Sequence, residues 1–139
     1  MPSLYETDFF TWTLEQSELI RKGELTAIDS ANLAEEIFSM GASELRSLEN
    51  YYIVLIKHLL KQKYQPEKAT RSWEFSIRNA KNRISRLLRK NPGMKQHLSE
   101  IKTDAYDFAR LEAASETGLD EKDFPEEADE WMRQKLEEK

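Results

Sequence analysis

Two groups of side chains in this 139-residue chain have the types and spacing to do chemistry. In the first, Asn32 and Glu36 share one flank of the apolar pair Leu33 and Ile37, and Glu112 and Glu116 extend the line of Ala105 and Phe108. His58 projects about 100° from the apolar stripe of its own segment. An imidazole with two or three carboxylates can hold a divalent cation or perform acid–base work if the groups meet. The sequence argues against the sharper form. Carboxylate-bridged metal bundles use Glu-x-x-His, but Leu55 and Met94 stand three residues before the two histidines, His58 and His97. A structural role explains the same residues: acids facing inward or on a bundle rim can cap neighbouring helices or pair with Lys and Arg. That reading is preferred, with no metal ligand and no cofactor assigned.

The second group is basic. Arg71, Arg78, Arg86 and Arg89 fall within about 80° of one another on a helical wheel, opposite Trp73, Ile77 and Ile84, with Phe75 among them. Arginines neutralise phosphates with release of counterions, and an aromatic ring can stack on an unpaired base, so nucleic acid is one ligand class. The plainer alternative is an amphipathic helix whose arginines face acidic helices of this chain or of a protein partner.

Other chemistries lack their parts. With no Cys there is no thiolate nucleophile, zinc-thiolate site or disulfide. A G-x-S-x-G turn is absent, and the four glycines are isolated rather than clustered into a phosphate-cradling loop. Trp12, Trp73, Tyr51 and Tyr52 read as core and boundary aromatics, and His97 as a rim residue.

The elements that must position these groups are helical throughout. A first segment begins after Thr7 or Asp8 and stops at Gly23, presenting Phe9, Trp12, Leu19 and Ile20 to one side. A second starts near Asp29 or Ser30 and carries Leu33, Ile37 and Met40, with Gly41 ending it or kinking it into the next. A third, from Ala42 to about Tyr64, repeats Leu45, Leu48, Tyr52, Leu55 and Leu59 in steps of three and four. The fourth begins at a Thr70 cap and ends at Asn91-Pro92-Gly93, and the fifth runs from about Pro92 to Thr117, aligning Met94, Leu98, Ile101, Ala105 and Phe108. A short helix around Trp131 closes the chain. The fold class expected is all-α: one compact bundle of about five helices over 1–139, with a core at about 4–125 and an acidic tail at about 120–139.

The net charge of −5 hides a division. Residues 57–95 hold twelve Lys and Arg against Glu67 and Glu74, a balance of +10, while the remainder carries −15. Either the acidic flanks fold back on the basic middle, which is the favoured expectation, or a basic face is offered to an anionic partner. The longest apolar run, Tyr51 to Ile56, falls far short of the ~20 residues that cross a bilayer, and no signal peptide is expected at the start. Without cysteines the chain suits the cytoplasm.

The landmarks Leu4-Tyr5-Glu6-Thr7-Asp8-Phe9-Phe10-Thr11-Trp12, Asn32-Leu33-Ala34-Glu35-Glu36-Ile37, Gly41-Ala42-Ser43-Glu44 and His58-Leu59-Leu60-Lys61 occur in order. Tyr64-Gln65-Pro66, Ser72-Trp73, Ala105-Tyr106 and Glu116-Thr117-Gly118-Leu119 follow, with Phe124-Pro125 last. In these the chain resembles the bacterial family catalogued as domain of unknown function 29, from about Leu4 to Pro125. Two departures are visible: Gln62 and Lys63 stand where members often carry an aromatic, and the tail after Glu127 diverges. The resemblance implies a helical fold and a bacterial origin, and brings no activity, substrate or catalytic residue.

The expectation is therefore a cytoplasmic helical interaction module with an unidentified protein partner, undefined oligomeric state and no membrane association, leaning away from an enzyme. The alternatives are nucleic-acid binding through the basic helix 70–90, and a metal-assisted, hydrolase-like enzyme using the carboxylates and His58.

Overall fold

The computed structural model describes residues 2–138, all of whose regular elements are helical. In chain order these are α1 (Leu4–Thr7), α2 (Phe9–Arg21), α3 (Ser30–Tyr64), α4 (Arg71–Lys90), α5 (Leu98–Thr117) and α6 (Glu130–Glu137), with single-turn or longer 3-10 segments at Pro66–Lys68, Pro92–His97 and Glu121–Asp123. The chain divides into two units, Met1–Ala42 and Ser43–Lys139. Helix α3 supplies its first turns to one and its longer remainder to the other.

In the first unit, Asp8 separates α1 from α2 and caps the latter, its carboxylate accepting from the Thr11 backbone N–H at 3.1 Å and from the Thr11 hydroxyl at 2.7 Å. These bonds hold the Asp8 carboxyl below its usual range. At the far end of α2, Gly23 takes φ +75°, with Gly23 N–H donating to Ile20 O and Glu24 N–H to Leu19 O. That paired closure of the last turn requires a left-handed residue, which glycine supplies without a Cβ clash. The stop expected at Gly23 is in place.

The face that α2 buries differs from the one periodicity alone suggests. Trp12 and Gln16 are buried, whereas Phe9 and Ile20 are each 48% exposed. A polar lock selects the face: Gln16 Oε1 accepts from Asp29 N–H at 2.7 Å, and Trp12 Nε1–H donates to the Asp29 carboxylate at 3.0 Å. Tyr5 and Phe9 pack on Trp12 with ring centroids 4.7 and 5.6 Å away.

Gly41 neither ends nor interrupts α3, which is a single helix from Ser30 to Tyr64. A glycine inside a helix costs about 1 kcal/mol relative to alanine, small enough for the flanking apolar stripes to carry the helix through. Ile37 and Met40 on this stretch are 66% and 69% exposed rather than core.

The second unit holds the main core. Leu48, Tyr52, Leu55, Ile56, Leu59 and Leu60 of α3 pack with Ala80 and Ile84 of α4, with Met94, and with Ile101, Ala105, Tyr106, Ala109 and Ala113 of α5. The fully buried row Ala105, Ala109 and Ala113 recurs every four residues, so one side of α5 is small and admits close packing. Phe108, expected on that line, lies off it and is 54% exposed. Gly118, at φ +77°, ends α5 as expected.

The C-terminal segment is tied down by specific bonds. Tyr106 Oη–H donates to Pro125 O at 2.6 Å, Phe124 is buried edge-on to Tyr64, and Gln65 Nε2–H donates to Thr117 O at 3.2 Å. Burial, with the nearby Asp129 carboxylate, pushes the Tyr106 phenol up to about 12, so it stays a donor. Asp129 caps α6 by accepting from Met132 N–H at 2.9 Å, and Met132 is buried beneath it.

Candidate functional site

The basic middle of the sequence falls into two parts that the structure treats differently. On α3, each of three lysines meets a carboxylate from the C-terminal half. Lys57 Nζ lies 3.3 Å from Glu112 and 3.1 Å from Glu116, Lys61 Nζ 3.6 Å from Glu116, and Lys63 Nζ 3.3 Å from Asp129. The acidic flank does fold onto these lysines. None of the seven cations of α4 has a partner: among the described residues no carboxylate stands within 4.0 Å of Arg71, Arg78, Lys81, Arg83, Arg86, Arg89 or Lys90.

Glu112 and Glu116 stand on the rim of the second unit, their side chains 49% and 43% exposed, while Lys57 and Lys61 are far more covered, at 15% and 10%. Burial opposes ionisation of Lys57 and Glu116 alike. Their mutual hydrogen bonds and charges more than offset it, so the Lys57 ammonium is held above its usual range and the Glu116 carboxyl below. The Lys61 ammonium also sits 4.6 Å from the centre of the Trp73 ring.

His58 Nδ1 lies 2.8 Å from Val54 O on the preceding turn, which fixes the proton on Nδ1 and leaves Nε2 with its lone pair. Burial, assisted by the charges of Lys61 and Lys57, pulls its pKa below the ordinary imidazole value. The cluster therefore contains a neutral imidazole and two carboxylates already neutralised by two ammonium groups. Among the described residues no three His, Asp or Glu side chains are grouped to hold a metal ion.

Asn32 and Glu36 belong to the first unit and are engaged there. Asn32 Nδ2–H donates to Asp29 at 2.8 Å, and Glu36 accepts from the Tyr5 hydroxyl. This lowers the Asp29 carboxyl and raises the Tyr5 phenol, the latter through the Glu36 hydrogen bond first. The two residues tie α1, α2 and the start of α3 together.

The outward face of α4 is the second place. Its inward face is fixed by buried Ala80 and Ile84, with Ile77 and Leu87 packed against the core, so the arginines between them must face out. Phe75 is half exposed and held between Arg71 and Arg78, each guanidinium carbon 5.4 Å from the ring centre. Further along, Asn79, Asn82, Arg83, Ser85, Arg86 and Arg89 line an open recess of about 430 Å³. Sequence reasoning placed Arg71, Phe75, Arg78, Arg86 and Arg89 on this face. It missed Arg83, Asn79 and Asn82, whose spacings of three, seven and four residues from Arg86 were the available signal.

A second recess, about 640 Å³, opens between α5 and α6 and is lined by Lys102, Tyr106, Asp107, Arg133 and Leu136, among others. Both charge signs meet there, and Tyr106 is already bonded to Pro125 O.

Helical caps, an alanine-lined packing seam, an ion-paired lysine cluster and one uncompensated basic helix define a small all-helical protein. The chain belongs to the family described as "Domain of unknown function DUF29", which it matches over residues 4–139. The match runs beyond Pro125 and through the acidic tail. No curated protein and no solved structure matches the chain. None of the helices is long and apolar enough to cross a membrane among the described residues.

Proposed function

We propose that the protein is a helical interaction module that binds an acidic protein surface through the outward face of α4. The observation that carries this reading is the contrast between the paired lysines of α3 and the unpaired cations of α4. Seven exposed or half-exposed cations crowded on one helix repel one another, and a complementary acidic surface relieves that repulsion while steering encounter. Phe75, braced by two arginines, supplies an aromatic anchor of the kind that concentrates binding energy.

A protein partner is favoured over nucleic acid because the rest of the chain is strongly negative. A polyanion extending past α4 would also meet a chain that is net negative outside that helix, whereas a folded acidic surface need cover only the helix. We also propose a cytoplasmic location and a binding rather than a catalytic role.

Fluorescence anisotropy with a labelled polyglutamate peptide, at about 50 mM and about 300 mM salt, tests it. Binding that weakens with salt and is lost in Arg78→Glu/Arg86→Glu supports the proposal. A single-stranded oligonucleotide that binds more tightly than the peptide overturns the choice of protein over nucleic acid. Binding that is unchanged in the double variant overturns the site.

A further inference from the structure

We infer that the acidic surface taken by α4 is the N-terminal unit of a second copy of this chain; the inference rests on the reading of α4 given above. Met1–Ala42 contains eight carboxylates against Arg21 and Lys22, a balance of −6, and α4 contains seven cations against Glu74, a balance of +6. The match extends to unpaired groups. Both cations of the N-terminal unit pair with Glu18 on the exposed surface of α2, whereas Glu6, Glu15, Glu24 and Glu35 have no cation within ion-pair distance among the described residues.

The N-terminal unit also exposes more apolar surface than a free face needs. Ile37, Phe38 and Met40 stand 66%, 75% and 69% exposed within one turn of α3, and Phe10 on α2 is 70% exposed. Large apolar side chains exposed in such number mark interaction sites where they adjoin. Carboxylates interspersed with bare rings suit arginine in particular, because the guanidinium plane stacks on an aromatic face while its forked N–H groups take a carboxylate. Helix α4 already places arginines against a ring in this way at Phe75.

Like surfaces cannot satisfy one another here. Two N-terminal units facing each other would bring −6 against −6, and two copies of α4 would bring +6 against +6. The charges therefore favour a contact between unlike surfaces, the N-terminal unit of one copy upon α4 of the other.

Analytical ultracentrifugation of the full chain tests this, using three proteins: the wild type, Arg78→Glu/Arg86→Glu, and Glu15→Lys/Glu35→Lys. The wild type is expected to exceed the monomer mass at about 50 mM salt, and its association to weaken about tenfold or more by about 500 mM. Each variant alone should weaken association about tenfold or more, and an equimolar mixture of the two should form a mixed complex within about threefold of wild-type strength. Recovery on mixing cannot come from misfolded variants. A wild type that stays monomeric at low salt, or variants that fail to recover on mixing, overturns the inference. A monomer that still binds polyglutamate through α4 overturns the second copy as partner and leaves the proposed function standing; loss of both behaviours overturns both.

Discussion

Replacing Glu116 by Gln removes the carboxylate shared by Lys57 and Lys61 with little change in shape. Lys57 keeps Glu112 at 3.3 Å, but Lys61, with only 10% of its side chain exposed, keeps no carboxylate and retains the Trp73 ring. Breaking a fully buried pair by removing one partner costs about 3–5 kcal/mol, whereas an exposed pair contributes about 0–1. Glu116 is itself 43% exposed, so water screens the pair and the expected loss is intermediate, about 1–2 kcal/mol. With a urea m-value of about 1–3 kcal/mol/M, the midpoint followed by circular dichroism should fall by about 0.3–2 M. Lys61→Met should reduce the cost of Glu116→Gln, since the stranded ammonium is then absent. The pH dependence has a definite sign. Glu116 has a lowered folded pKa, so its contribution is present above the ordinary carboxylate value of 4.5 and is lost as pH falls through the folded value. The difference between wild type and Glu116→Gln should therefore shrink below that pH. An unchanged midpoint at pH 7, or an equal cost with and without Lys61, would refute the reasoning.

Three further outcomes follow from local geometry. Tyr106→Phe removes the bond to Pro125 O and should destabilise by about 1–2 kcal/mol in urea titration, since a part-buried carbonyl loses its donor. Gly41→Ala and Gly118→Ala should act in opposite directions. The former fills open space inside α3 and should stabilise by about 0.5–1 kcal/mol, and the latter forces alanine to φ +77° and should destabilise by about 1 kcal/mol, both read by thermal unfolding. His58, whose folded pKa is lowered, contributes stability that is full above the ordinary value of 6.5 and is lost as pH falls through the folded value. His58→Gln should flatten that part of the stability profile, and an unchanged slope between about pH 7 and 5 would count against a desolvated imidazole.

The sequence carried the ends of most elements because caps and stops act locally: Asp8, Gly23 and Gly118 each do within a few residues what their types suggest. Gly41 was ambiguous for a physical reason. A glycine lowers helix stability without forbidding the helix, and flanking stripes decide the outcome. Periodicity marked Phe9, Ile37, Met40 and Phe108 as candidates for burial, but a stripe does not reveal whether another element covers it, and all four stand exposed. At the candidate sites, the α4 face was legible because one helix presents it. Pairings such as Tyr5 with Glu36, 31 residues apart, or Lys57 with Glu112, 55 apart, depend on packing that spacing along one helix does not encode.

The unpaired row on α4 changes what the net charge means for anyone handling the protein. A chain at −5 should be held by an anion-exchange resin and pass through a sulfonate column at neutral pH. Charges fixed on one side of a rigid helix do not average with those elsewhere over distances longer than a Debye length of about 10 Å. A sulfonate bead meets α4 before it meets the sum. Retention on both kinds of resin is the everyday sign of such a surface, and a partner in solution would sense the same local sign.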